Sequence, residues 1–488
     1  MRILYVNWAD PHDPLGRGGG VSVYQRNLIA ALDAVDGVET AFLGSGLTHD
    51  LVGNAPRVQQ ISDGPSPRFQ LVNSGLLAPS HADFAGAAQL DHPPTVAAFA
   101  DFIDRSGPWD VIHFNTLEGL PAQVLALKPR WPRTRFVMSL HNYYPFCPQV
   151  NLWHHEARPC TDFQDGAKCV TCLPAQPNPR NVRLSYRIDT ALTRAGAGPG
   201  TALFDRVFRP LLGLTWRLAR RVLRARHRRR ARARGTAPNG RAFARRRAEM
   251  TALINTHVDA VLCVSDRVRQ IALQHGLDGQ KTQTCLIGTR AAQAWGETRP
   301  KPAFLAPDGT LRLLYLGYMR RDKGFYFLMQ ALGALPSDMA RRLHLLVAAR
   351  SGEADAMALM SGARTRLASL THVNGYTHDN LPGLLDGADL GVVPPLWEDN
   401  LPQVAIEMHA LHIPLLTSDK GGAQELGNCP DLVFRSGDAA DFQRALSAVL
   451  AGRLTPADYW ANARPPETMA AHVNRLLPIY RGCPSPRS

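Results

Sequence analysis

Lysine is scarce in this chain: only six lysines (128, 168, 281, 301, 323 and 420) contribute to its 55 basic residues, and the rest are arginine. A single arginine therefore says little here, whereas a lysine in a motif is informative. No apolar run reaches the roughly 18 residues that a membrane-spanning helix needs. The N-terminal stretch Met1–Asp10 has too short an apolar run for a secretory signal and meets an acid early. Both absences predict a soluble cytoplasmic chain, or one attached only to the inner face of the cytoplasmic membrane. A third absence is local. Between Arg206 and Arg247 there are sixteen arginines and not one Asp or Glu. The formal charge of +14 is thus the charge of one insert on an otherwise near-neutral body, which argues against a general nucleic-acid-binding surface. At 488 residues with 45% apolar content, the chain is long enough for two globular domains.

Two series of alternating strand-like and helix-like runs follow one another. In the first, strands are predicted at 2–8, 38–43, 111–115, 135–141 and 260–265, with a helix over 21–34. The second has strands at 311–318, 343–349, 371–375, 390–394 and 414–418, with a helix over 324–335. Short β-branched or leucine-rich runs bounded by turns are typical of buried parallel strands. The pattern predicts an α/β protein of two doubly wound, Rossmann-like domains facing each other across a cleft, where strand C-termini gather ligands. The expected division is 1–297, with the basic insert at about 180–248, then 298–465, and a tail helix in 466–488 that returns to the first domain.

The most informative segment is Val393–Glu407. A strand ends, a proline-marked turn follows, and a helix is predicted to start at Pro402, since proline suits the first helical position. Free amides at a helix N-terminus attract a diphosphate, whereas nearby carboxylates suit sugar hydroxyls. Gly18, Gly19 and Gly20 follow the first strand and open a helix, so they either approach a phosphate closely or form a plain tight turn. At Gly317–Gly324 a strand leads into a basic loop with Arg320, Arg321 and Lys323. Its cations would clamp a departing diphosphate or merely sit in solvent.

In this order, these pieces resemble the retaining GT-B glycosyltransferases of family four, the glycosyl transferases group 1. The resemblance implies that Asp399 and Glu407 are the family's acid-x7-acid pair, holding the donor sugar and the nucleotide ribose respectively. It implies that Leu401, Gln403 and Val404 present backbone to the diphosphate, that Lys323 binds phosphate, and that Gly19 and Gly20 form the opposing glycine loop. Gly421 and Gly422 match the family's next loop. His141, at a strand end, matches a histidine that approaches the donor sugar. The implied activity is metal-independent, retaining transfer from a UDP- or GDP-sugar to a glycan or lipid-linked glycan in cell-surface polysaccharide assembly, with no cofactor required for the chemistry. One departure matters. The family's arginine after the glycine at 317 is Tyr318 here, so Arg320 or Arg321 is expected to replace it. The alternative is a non-catalytic binding or scaffold protein on the same fold.

Two features stand outside that pattern. Cys147, Cys160, Cys169 and Cys172 include a C-x2-C half with zinc-knuckle spacing, which leaves open a structural zinc site or free thiols. The basic insert carries apolar residues at helical spacing among its arginines, with Pro210 expected to kink or split the helix. An anionic membrane surface is the partner such a helix suits, through residues 206–247. A disordered insert and a nucleic-acid arm are the competing readings.

Overall fold

Short aliphatic runs form the central strands of two sheets in the computed structural model, which describes residues 1–173, 175–233, 240–376 and 381–483. In the first sheet β1 (Arg2–Asn7), β2 (Glu39–Ser45), β3 (Arg57–Ser62), β4 (Arg68–Val72), β5 (Val111–Phe114) and β6 (Arg135–Leu140) come in sequence. A small hairpin, β7 (Trp153–His154) and β8 (Arg158–Pro159), interrupts the series before β9 (Ala260–Cys263) and β10 (Thr282–Thr284) complete it. The spatial order is β10-β9-β6-β5-β1-β2-β4-β3. All pairings in it are parallel except that of β3 with β4. The second sheet is wholly parallel, in the order β13-β12-β11-β14-β15-β16. Its strands are β11 (Leu311–Tyr318), β12 (Leu343–Arg350), β13 (Ser369–Val373), β14 (Leu390–Val393), β15 (Leu415–Ser418) and β16 (Val433–Phe434).

The central strands β1, β5 and β14 are almost wholly buried, and β11 is buried over Leu313–Leu316, as both-face coverage by helices requires. That is why their apolar runs were readable. The strands missing from the predicted set are β3, β4, β10 and β16 of the two sheets, and the β7–β8 hairpin. β3 is mostly exposed, and its Arg-Val-Gln-Gln-Ile-Ser sequence carries no continuous apolar signal. Only pairing with β4 makes it a strand. The predicted 371–375 strand lies two residues earlier, at Ser369–Val373.

The stretch between β10 and β11 is partly helical. Residues 290–297 are helical, and Trp295 stacks on His412 at 4.2 Å between ring centroids. The tail helix Met469–Tyr480 packs on the Gly19–Leu32 helix. Tyr24 Oη lies 2.7 Å from His472 Nε2, and Tyr480 Oη lies 2.6 Å from His113 Nδ1 and 2.9 Å from Tyr5 Oη.

The basic insert divides in two. A helix at Arg209–Ala233 follows a π-helical turn at Phe204–Phe208, and Pro210 sits in its first turn. Helical residues thus precede Pro210 without a break, and the proline falls where the run passes from π to α geometry, an irregularity in keeping with a proline inside a helical run. Arg246 and Arg247 belong instead to the helix Arg241–His257, packed into the first domain. Arg246 is buried, donates to Tyr144 O at 2.8 Å and stacks over the Tyr144 ring. Arg247 donates to Phe146 O at 2.8 Å and lies 3.4 Å above the Phe163 ring centroid. These two cations hold the fold together and are not offered to a surface partner.

Candidate active site

The turn after β14 sets out the acids. Glu398 and Asp399 are adjacent, and the chain turns them to different tasks. Glu398 takes two hydrogen bonds from Arg267 of the first domain, at 2.9 and 2.5 Å, and one from Gly421 N. Asp399 faces the cleft and pairs with Lys323 Nζ at 2.6 Å. Lys323 also lies 5.1 Å from the centre of the Trp397 ring. Pro402 is the cap, with ψ 130°, and the helix begins one residue later than predicted, spanning Gln403–Ala410. Pro402 has no N–H, and the amides of Ala405 and Ile406 donate to Pro402 O, which leaves those of Gln403 and Val404 free at this helix start. Glu407, one turn in, is buried.

The opposing wall is the glycine loop. Gly18 caps the Gly19–Leu32 helix, and a Cβ there would lie 1.9 Å from Ser22 Oγ. Gly19 has φ +54°. Gln403 donates through Nε2 to Gly20 O at 2.8 Å, which joins the two domains across the cleft.

A cavity of about 660 Å³ lies between these walls. Gly19, Gly20, His141, Lys323, Asp399, Leu401, Gln403, Val404 and Glu407 all line it, so nine of the sequence-derived positions converge. Two do not. Arg320 makes a forked pair with Asp322, at 3.0 and 2.6 Å, and borders a different cavity. Arg321 pairs with Asp355 at 2.8 Å and lies over the Tyr326 ring. Each of the two expected replacements for an arginine at 318 is thus held by a nearby carboxylate in this structure, and neither lines the 660 Å³ cavity. Tyr318 itself lines the cavity and is 58% exposed.

His141 follows β6 and sits where the 660 Å³ cavity meets a second one of about 520 Å³. Burial lowers its pKa to about 3, so the ring is neutral near pH 7. Its Nε2 lies 3.0 Å from Asn115 Oδ1, and the Tyr24 ring is 5.2 Å away. A neutral imidazole there can hydrogen-bond sugar hydroxyls but adds no charge.

The second cavity was not read from sequence. Trp8, Glu118, Asn142 and Trp216 line it together with Arg17 and Arg320. Glu118 is buried, and desolvation raises its pKa, although its carboxylate accepts from Ser80 N at 2.7 Å and Asn142 Nδ2 at 2.9 Å. The available signal was the acid just past β5, in Asn115-Thr116-Leu117-Glu118. Trp216 arrives from the arginine-rich helix, a link that no local pattern could show.

The zinc expectation finds no support. Among the described residues, no group of three or more His, Cys, Asp or Glu side chains is arranged to hold a metal ion. Cys147, Cys160, Cys169 and Cys172 are free thiols. Cys172 donates to Gln149 Oε1 at 3.1 Å, and burial pushes the Cys169 thiol up to about 12.

Residues 310–452 match the family described as Glycosyl transferases group 1. No curated protein matches the chain significantly. Among solved structures, sucrose-phosphate synthase from Thermosynechococcus elongatus is similar over 99% of this chain and 98% of its own, at 17% identity and a TM-score of 0.57. HepE from Anabaena, solved in complex with UDP, matches over 99% and 100%, at 13% identity and a TM-score of 0.55. An alpha,alpha-trehalose-phosphate synthase (UDP-forming) from Burkholderia vietnamiensis matches over 99% and 98%, at 15% identity and a TM-score of 0.50. At such identities the likeness shows the fold, which is GT-B. The family match thus falls on the second domain of a chain whose whole length has the GT-B fold.

Proposed function

We propose that the protein moves a sugar from a nucleotide-sugar donor to a glycan or lipid-linked glycan acceptor, with retention of configuration, in cell-surface polysaccharide assembly. The observation that carries this reading is the cleft itself, where the Lys323–Asp399 pair, Glu407, the Gln403 helix start and the glycine loop share one cavity. The second domain, roughly 298–465, takes the nucleotide, and the first takes the acceptor. Glu407 holds the ribose hydroxyls and Asp399 hydroxyls of the sugar. Lys323 exchanges its carboxylate partner for phosphate when the donor enters. Helix amides and the glycine loop add fixed positive potential where charge grows on the leaving diphosphate.

No side chain in the cavity is assigned as a covalent nucleophile. The acceptor hydroxyl attacks from the face that the diphosphate leaves, and the transition state is oxocarbenium-like. Catalysis then consists of alignment and of electrostatic stabilisation of the departing group. His141, at the junction of the two cavities, orients sugar hydroxyls beside the acceptor. The HepE complex with UDP makes UDP-sugars the first donors to assay, followed by GDP-sugars.

The acceptor is membrane-borne in this reading. Leu203, Val207, Leu211, Leu214, Leu218 and Val222 recur at spacings of three or four, and all are largely exposed. Arg206, Arg209, Arg217 and Arg221 are exposed among them. An apolar stripe flanked by cations fits an anionic bilayer surface, and Trp216 of the same helix borders the second cavity. No helix among the described residues is long and apolar enough to cross a membrane.

The test is donor turnover. Purified protein incubated with UDP- and GDP-sugars should release the nucleoside diphosphate, faster when a lipid-linked glycan is supplied. Asp399→Ala and Glu407→Ala should each lower turnover by roughly a hundredfold or more, the scale of losing one electrostatic or positioning group. Binding of nucleotide without turnover across a broad donor and acceptor panel would instead indicate a non-catalytic scaffold.

A further inference from the structure

The donor cavity has a charge inventory that Lys323 alone does not balance. Asp399 and Glu407 are both carboxylates, and Lys323 is already paired with the first of them. A nucleoside diphosphate would bring further negative charge beside them. Tyr318 stands at the end of β11, where a cation would meet that charge, and Arg320 and Arg321 are held elsewhere by Asp322 and Asp355.

The neighbouring strand supplies a candidate. β12 runs parallel to β11 in a register that sets Arg350 beside Tyr318. Arg350 is exposed and lines the same cavity. Among the described residues its guanidinium has no hydrogen-bond or ion-pair partner. Its stem crosses Gly375, which has φ +87° and where a Cβ would lie 3.3 Å from Arg350 Cγ.

We propose that Arg350 is the second cation for the donor diphosphate, displaced by one strand from β11 to β12. This rests on the donor-site reading above and assigns it a residue that the family pattern does not name at this position. Paired strands are about 4.8 Å apart, a distance that a flexible arginine arm spans. The guanidinium fork suits two phosphate oxygens, so the shift keeps the chemistry while leaving a tyrosine at 318.

Calorimetric titration of UDP, GDP and ADP, each alongside its own nucleoside, tests this on the full chain. In Arg350→Ala the dissociation constant for the preferred diphosphate should rise roughly ten- to a hundredfold, the range for one charge-assisted group, with nucleoside affinity unchanged. Arg350→Lys should retain part of the affinity, and Tyr318→Arg combined with Arg350→Ala should restore much of it. Unchanged diphosphate binding in Arg350→Ala, or an equal loss for the nucleoside, overturns the assignment, the latter by moving the contact to the base. Failure of the unaltered protein to bind any of the three diphosphates would instead remove the donor-site reading itself. Matching melting curves for the variants separate either result from misfolding.

Discussion

Gly324 and Gly421 show how tightly the donor cleft is built. Gly324 has φ +75°, and a Cβ on it would lie 1.7 Å from Pro394 O. Gly421 has φ +78°, with Asp399 O only 1.8 Å from its would-be Cβ. Gly324 lies on the loop that carries Lys323, and Gly421 packs its own loop against the turn that carries Asp399. Gly452 also has a positive φ, +67°, but nothing lies within 4 Å of its Cβ position. Comparing the two separates backbone strain from collision. Gly452→Ala should cost about 1–2 kcal/mol, the left-handed penalty alone. Gly421→Ala should cost clearly more and should also weaken donor binding, because the loop must move away from Asp399. Chemical denaturation checks the first, and nucleotide titration the second. Equal stability losses in the two variants would show that the Asp399 loop yields easily. At this scale the site was partly legible: the family resemblance implied Asp399 and Glu407 as the acid pair. What Glu398 does instead was not legible, because its partner Arg267 is 131 positions away.

Among the elements, the arginine-rich helix departs furthest from a simple reading. Composition presents sixteen arginines as one block, yet Arg246 and Arg247 are structural while the Arg209–Ala233 helix stands apart from both sheets. The difference lies in which apolar residues found partners. Phe204 is buried, whereas Leu211 is 57% and Leu218 55% exposed. Leu211→Glu with Leu218→Glu should abolish sedimentation with vesicles rich in phosphatidylglycerol while leaving the melting temperature unchanged, since neither side chain packs on the core. Raised salt should weaken binding of the unaltered protein without eliminating it, because only the arginine contribution is screened. Equal vesicle binding by the double variant would remove the membrane reading of this helix.

At the scale of the whole molecule, buried imidazoles join distant parts of the chain. His472 on the tail helix meets Tyr24, His113 in β5 meets Tyr480, and His409 meets Tyr459. Burial lowers the pKa of His409 and His472 to about 4, of His141 to about 3, and of His113 well below its ordinary value. The unfolded chain, with imidazoles near 6.5, then binds more protons than the folded one, so stability is full above that value and falls as pH drops below it. Each such group removes roughly 0.8 kcal/mol between pH 7.5 and 6. The melting temperature should decline over this interval; a level or rising value would show that these rings are not held neutral. The carboxyls of Glu118 and Glu425, raised by burial, act in the opposite direction as they take up protons.

The sequence by itself determined the two alternating series, the central strands, and the positions where a strand C-terminus meets glycine, lysine or an acid. Those are local consequences of periodicity, backbone freedom and side-chain charge. Only the tertiary structure decided which groups meet. It opposed Gly20 to Gln403, paired Lys323 with Asp399, turned Arg320 and Arg321 aside, and set Arg350 beside Tyr318. Each of these contacts depends on sheet register or on the approach of the two domains, and neither is encoded in the spacing of residues along one segment.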